Sequence, residues 1–80
     1  MTKRDKLVTK AILNPASLSF SEFQTLLSHS DWQKRRQSGS HELWYSPQGF
    51  RLPIQRSENG QSKEYQVKQF LNRLEQEKNE

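Results

Sequence analysis

The chain has two imidazoles, His29 and His41, and a side chain that exchanges a proton near neutral pH is the natural place to look for chemistry. His41 has the more suggestive surroundings. It closes the run Ser38-Gly39-Ser40-His41 and follows Lys34, Arg35 and Arg36 by a few residues. An imidazole beside a cluster of cations suits attack on RNA: it takes the proton from a ribose 2′-hydroxyl, or gives one to the leaving 5′-oxygen. The cations would hold the phosphate and stabilise the charge that builds in the transition state. Gly39 would let the backbone approach a phosphate, and the Ser40 hydroxyl and amide could donate to it. The plainer reading makes His41 an ordinary strand residue in a polar hairpin. His29 falls at the end of a short helix, where a cationic imidazole suits the helix dipole, so a capping or solvent-facing role is expected there.

Other chemistries find little support. The chain has no Cys, hence no thiolate nucleophile, disulfide or Cys-based zinc site. Two histidines with one acid near each make a poor ligand set, and no metal is expected. Gly39, Gly49 and Gly60 are too scattered for a phosphate-cradling loop. No pair of carboxylates suggests a glycosidase-type dyad. No small-molecule cofactor is expected.

The distribution of charge points to a polyanion. The net charge is +4 and the isoelectric point about 9.7. Lys34, Arg35, Arg36, Arg51 and Arg56 face only Glu42 across residues 32–56, a local +4. Such a block fits nucleic acid, although a solvated charged face is the simpler alternative. Trp32, Trp44, Tyr45 and Phe50 lie in or beside the block. Exposed, such rings stack on unpaired bases; but only 30% of the residues are apolar, and a thin core needs its rings inside. Alternation places His41, Leu43 and Tyr45 on one face of a strand and Glu42, Trp44 and Ser46 on the other. Hydropathy leaves open which face is core.

The elements that must position these residues are mostly local in origin. At 80 residues the chain is one domain. No run approaches the length of a membrane span, and Met1 to Leu13 lacks the apolar segment of a signal peptide, so a cytoplasmic protein is expected. Leu7, Val8, Ala11 and Ile12 form one stripe of a helix from Lys3 to Leu13, ended by Asn14-Pro15. That helix either extends the core through Leu7, Ala11 and Ile12 or acts as a basic arm through Lys3, Arg4, Lys6 and Lys10. Ser19 and Glu22 have capping-box spacing for a second helix, with Leu18 and Phe23 as its hydrophobic staple, and Ser21 and Gln24 offer the same box two residues on. Strands are expected over Trp32–Gln37, His41–Tyr45 and Phe50–Gln55, joined by Ser38-Gly39-Ser40 and by a turn at Ser46-Pro47-Gln48-Gly49. Pro53 cannot donate to a ladder, so the third strand is expected at an edge or with its N–H side free. Val67, Phe70, Leu71 and Leu74 give the clearest helical stripe, in a helix starting near Ser62 or Lys63. The expected fold is α+β in the order α-α-β-β-β-α, a three-stranded antiparallel meander with helices on one face. Residues 1–17 form an N-terminal helical extension, 18–76 the core, and 77–80 a frayed tail.

Phe23-Gln24-Thr25-Leu26-Leu27, then Asp31-Trp32, then Arg36-Gln37-Ser38-Gly39-Ser40-His41 resembles the HicA (YcfA-like) toxins of bacterial toxin–antitoxin pairs. In that family a short helix ending in two leucines and a Gly-Trp pair precede an Arg/Lys-x-x-Gly-Ser-His signature. Tyr45-Ser46-Pro47-Gln48-Gly49 matches the family's hairpin, and Tyr65-Gln66-Val67-Lys68-Gln69-Phe70-Leu71 looks like its closing helix. The match covers about residues 18–74. The resemblance implies a double-stranded-RNA-binding-like fold, metal-independent cleavage of mRNA by the motif histidine, here His41, and neutralisation by a HicB antitoxin that covers it. The sequence departs from the pattern at Glu42, where many members have a second histidine, at Asp31, where glycine often precedes the tryptophan, and in its N-terminal helix. Three functions follow as expectations: an endoribonuclease with His41 catalytic and Lys34, Arg35, Arg36, Gly39, Ser40 and Arg51 on the RNA; an RNA-binding module without cleavage; or a basic protein that docks an acidic antitoxin.

Overall fold

The computed structural model describes residues 2–78. Helix α1 spans Lys3–Leu13 and opens on a capping box, Thr2 Oγ1 accepting from the Asp5 amide at 3.1 Å. Asn14-Pro15 ends it in a single 3₁₀ turn, Pro15–Ser17. Helix α2, Phe20–His29, starts at the first of the two candidate boxes: the Glu22 amide donates to Ser19 Oγ at 3.0 Å, and the Ser19 amide donates to the Glu22 carboxylate at 2.9 Å. That amide, followed by the Lys10 ammonium, holds the Glu22 carboxyl below its ordinary range. Leu18 and Phe23, the staple pair, are both fully buried.

The exit from α2 sets the rest of the chain. Asp31 takes a left-handed backbone, φ 67°, and the Trp32 amide reaches back to the Leu27 carbonyl at 3.0 Å. This turn drops Trp32 into the core, edge-on to Phe70 with centroids 5.2 Å apart and to Phe50 at 6.2 Å. Strand β1 therefore begins one residue later than expected, at Gln33, and runs to Ser38. With β2, His41–Tyr45, and β3, Arg51–Gln55, it forms an antiparallel sheet in the order β1-β2-β3. Gly39-Ser40 is a two-residue turn with positive φ at Gly39 alone, the type II′ pattern that matches strand twist. Ser46–Gly49 closes with the Gly49 amide on the Ser46 carbonyl at 2.9 Å. Pro53 lies on β3, an edge strand, as its missing N–H requires.

The fold is α+β in the order α-α-β-β-β-α. One face of the sheet is buried under the helices through Trp44, Leu52 and Ile54, which pack with Phe23, Leu26, Leu27, Val67 and Phe70. Helix α1 adds to this core through Leu7 and Ala11. It is tied down by Arg4 Nε donating to Ser30 Oγ at 3.2 Å and by Lys10 paired with Glu22 at 3.0 Å. Of its two expected roles the core role is the one seen, except at Ile12, which is 63% exposed because its stripe position overhangs the gap towards α3.

Helix α3 spans Glu64–Lys78 and buries Val67 and Phe70, with Leu71 and Leu74 packed alongside. Buried Gln66 accepts from the Gln55 amide at 2.9 Å, which satisfies the end of β3. The helix continues through Lys78, two residues into the tail expected from residue 77. Arg73 Nε donates to Glu77 at 2.8 Å, and its guanidinium sits 5.0 Å from the Phe50 ring centroid. Burial pushes the Glu77 carboxyl up, but hydrogen bonds from Ser46 and Arg73, the Arg73 charge and the Gln48 backbone outweigh it and hold the group below its ordinary range. These contacts fasten the last turns of α3 to the β2–β3 turn. Residues 79 and 80, the rest of the expected tail, lie outside the described residues. Among the described residues no helix is long and apolar enough to cross a membrane.

Candidate nucleic-acid interface

Strand register decides which side chains share a surface. Residues directly opposite in an antiparallel pair point to the same face. Trp44 and Leu52 are paired and buried, so the rows Lys34–Trp44–Leu52 and Gln37–Glu42–Ile54 face the helices. The rows Ser38–His41–Gln55, Arg36–Leu43–Pro53 and Gln33–Tyr45–Arg51 face outward. The ambiguity over β2 is thereby resolved: His41, Leu43 and Tyr45 form the open face, and both tryptophans are core residues rather than stacking platforms.

A β-bulge sorts the cations. In a regular strand Lys34 and Arg36 would share a face. Here the register shifts between them, with Arg35 as the additional residue. Arg36 consequently points outward with Leu43, while Lys34 points to the helix side and donates to Gln37 Oε1 at 3.0 Å. Arg35 also reaches the outer face, its guanidinium 6.0 Å from the Tyr45 ring centroid. All six residues of β1 are exposed, because the strand overhangs the helical layer.

The predicted site residues thus divide. Arg35, Arg36, Arg51 and His41 share the outer face, with Arg51 opposite Tyr45 at the other end of β2 from His41. Gly39 and Ser40 sit at the hairpin tip and line a separate small hollow on the helix side with Gln24, Glu42 and Arg56. Nothing lies within 4 Å of where a Gly39 Cβ would stand, so this glycine serves the turn conformation and the tip is open to solvent. His29 is exposed in the last turn of α2.

Glu42 does not sit beside the His41 ring, despite its place in sequence. It is 6% exposed on the helix side, accepting from Gln24 Nε2 at 2.7 Å and from Trp44 Nε1 at 2.9 Å. It is the one carboxylate in the three strands, so no strand residue of the outer face is acidic. Among the described residues Arg35, Arg36, Arg51 and His41 have no ion-pair partner and no side chain hydrogen-bonds the His41 ring. The face is a field of one sign, with an imidazole free to meet a ligand.

Tyr45 is the residue that sequence reasoning could only half place. Its half-buried ring, with Arg35, Arg36, Leu43, Ser46, Pro47 and Gly49, borders a cavity of about 510 Å³. Its period-2 spacing from His41 was the available signal. Among the described residues no three His, Cys, Asp or Glu side chains gather as metal ligands would. No protein-family model, curated protein or solved structure matches the chain.

Proposed function

We propose that this chain binds RNA on the outer face of its sheet and cleaves it without a metal, as a cytoplasmic mRNA interferase of HicA type with a double-stranded-RNA-binding-like fold. One observation carries the reading: among the described residues, an exposed imidazole with no hydrogen-bond partner shares the outer face of the strands with three arginines that have no ion-pair partner, and no strand residue of that face is acidic. In the reaction His41 takes the proton from a ribose 2′-hydroxyl, and the oxygen attacks the adjacent phosphorus. The bond to the 5′-oxygen breaks, that oxygen takes up a proton, and the products are a 2′,3′-cyclic phosphate and a 5′-hydroxyl end. Arg36, two ladder positions from His41, neutralises the phosphate at the cut as charge builds on its oxygens, and Arg51, opposite Tyr45, holds a neighbouring phosphate of the strand. The same face is what an acidic, HicB-like antitoxin would cover.

Binding without cleavage is the second reading. It is favoured by the cross-strand neighbours of His41, Ser38 and Gln55, neither of which relays a proton near neutral pH. The deciding experiment incubates wild type and His41→Ala with a labelled, partly structured RNA in EDTA, scoring cleavage and gel shift together. Cleavage by wild type alone, with binding by both, is the expected result. Binding by both without cleavage selects the second reading, and cleavage by His41→Ala at the wild-type rate overturns the assignment.

A further inference from the structure

The cavity beside Tyr45 adds something that a basic face alone does not supply, a place for one flat ring. We propose that it is a base-binding subsite, so that the RNA taken by this face is single-stranded, with one unpaired nucleobase seated on the Tyr45 ring. The inference rests on the RNA-binding reading above and names the substrate class of that same face. The hollow, about 510 Å³, is open to solvent, so it suits a flat ring laid on the Tyr45 side chain rather than a molecule enclosed on all sides. Its walls combine an aromatic face, the guanidinium of Arg35 and the rigid Pro47 turn.

The Arg35–Tyr45 geometry is specific. At 6.0 Å the guanidinium lies at the outer limit of a cation–π contact. Two stacked planes touch at roughly 3.5 Å, so a base between Arg35 and Tyr45 needs a gap of about 7 Å. An outward swing of about 1 Å in an exposed arginine supplies it. A paired base in an A-form helix presents no free ring face, so only an unpaired one can enter.

Position along the strand adds a further consequence. Tyr45 lies four residues from His41 on the same face, about 13 Å at strand rise. The ribose attacked at His41 and the base held at Tyr45 therefore belong to different nucleotides. Any base preference should appear at a fixed offset from the cut rather than at it.

The test uses 2′-O-methyl RNA, which lacks the attacking hydroxyl and so reports binding alone. Fluorescence anisotropy compares a short unstructured strand, a duplex of equal length, and the strand with abasic positions. Wild type should prefer the single strand and bind the abasic strand more weakly. Tyr45→Ala should weaken single-strand binding roughly five- to hundred-fold, the range for losing one base–aromatic stack, while Tyr45→Phe keeps wild-type affinity. Tyr45 lies outside the buried core, and an unchanged urea midpoint shows that the variants are folded. Wild-type single-strand affinity in folded Tyr45→Ala, or equal affinity for the duplex, overturns the base subsite and leaves RNA binding standing. No binding of any RNA overturns both.

Discussion

Glu42→Ala separates a structural carboxylate from a catalytic one. In the folded chain Glu42 joins α2 to β2 by accepting from Gln24 Nε2 at 2.7 Å and from Trp44 Nε1 at 2.9 Å. Alanine removes both bonds. Gln24 is half-exposed, so water replaces its lost partner at a cost of about 0.5 kcal/mol. The Trp44 ring is 5% exposed, and leaving its N–H without a charged acceptor costs about 1.5–3 kcal/mol. The expected loss is therefore roughly 2–3.5 kcal/mol, or about 10–25 °C in melting temperature for a domain of this size. Glu42→Gln keeps an acceptor for Trp44 and should lose about 1 kcal/mol. Urea unfolding followed by tryptophan fluorescence measures both. Because Glu42 and His41 point to opposite faces, folded Glu42→Gln should match the wild type in whatever RNA binding and cleavage the latter shows. A loss under about 0.5 kcal/mol in Glu42→Ala, or an altered pH–rate profile in Glu42→Gln, would refute the reasoning.

Three further outcomes are expected. Glu77 is held below its ordinary value of 4.5 in the folded chain; its contribution to stability is complete above that value and lost as pH falls through the folded one. Urea midpoints taken from neutral pH into acid should thus fall less steeply in Glu77→Gln than in wild type, and equal slopes would contradict the Ser46–Arg73–Glu77 network. Asp31→Gly, at φ 67°, should gain about 0.5–1 kcal/mol because glycine takes the left-handed backbone without a Cβ penalty, and a lower urea midpoint would count against that account. Phe70→Ala removes the ring that meets both Phe23 and Trp32; a loss of about 3–5 kcal/mol in chemical denaturation is expected.

Features that depend on neighbours in sequence were legible in advance. The Ser19–Glu22 box, the Lys3–Leu13 helix, the Pro47 turn and the Val67–Phe70 stripe each use interactions within a few residues, and each stands where the pattern put it. The inward face of β2 was illegible because its two signals cancel: Trp44 favours one face, Leu43 the other, and a glutamate is a poor marker of a core. Only Gln24, eighteen residues away, and the Trp44 indole make that glutamate tolerable inside. The Arg35 bulge leaves no composition mark either, yet it decides that Lys34 parts company with Arg36. The anchoring of the α3 terminus is illegible for a related reason. Arg73 and Glu77 announce themselves at helical spacing, but the partner that secures them, Ser46, comes from a distant turn.

The overhang of β1 has a thermodynamic consequence. The strand that carries Arg35 and Arg36 gives no side chain to the core and is held by its ladder with β2. Its backbone amides should exchange with solvent through local opening, long before the molecule as a whole unfolds. A ligand that needs those arginines in register can bind only the closed form, so its apparent affinity includes the free energy of closing the hairpin. Occupancy and amide protection are then two readings of one equilibrium. A substitution at the Gly39-Ser40 turn that makes no contact with a ligand would lower affinity in proportion to the closed fraction it removes, and a ligand bound only by the closed form would slow exchange along the strand by a factor of one plus its concentration over Kd.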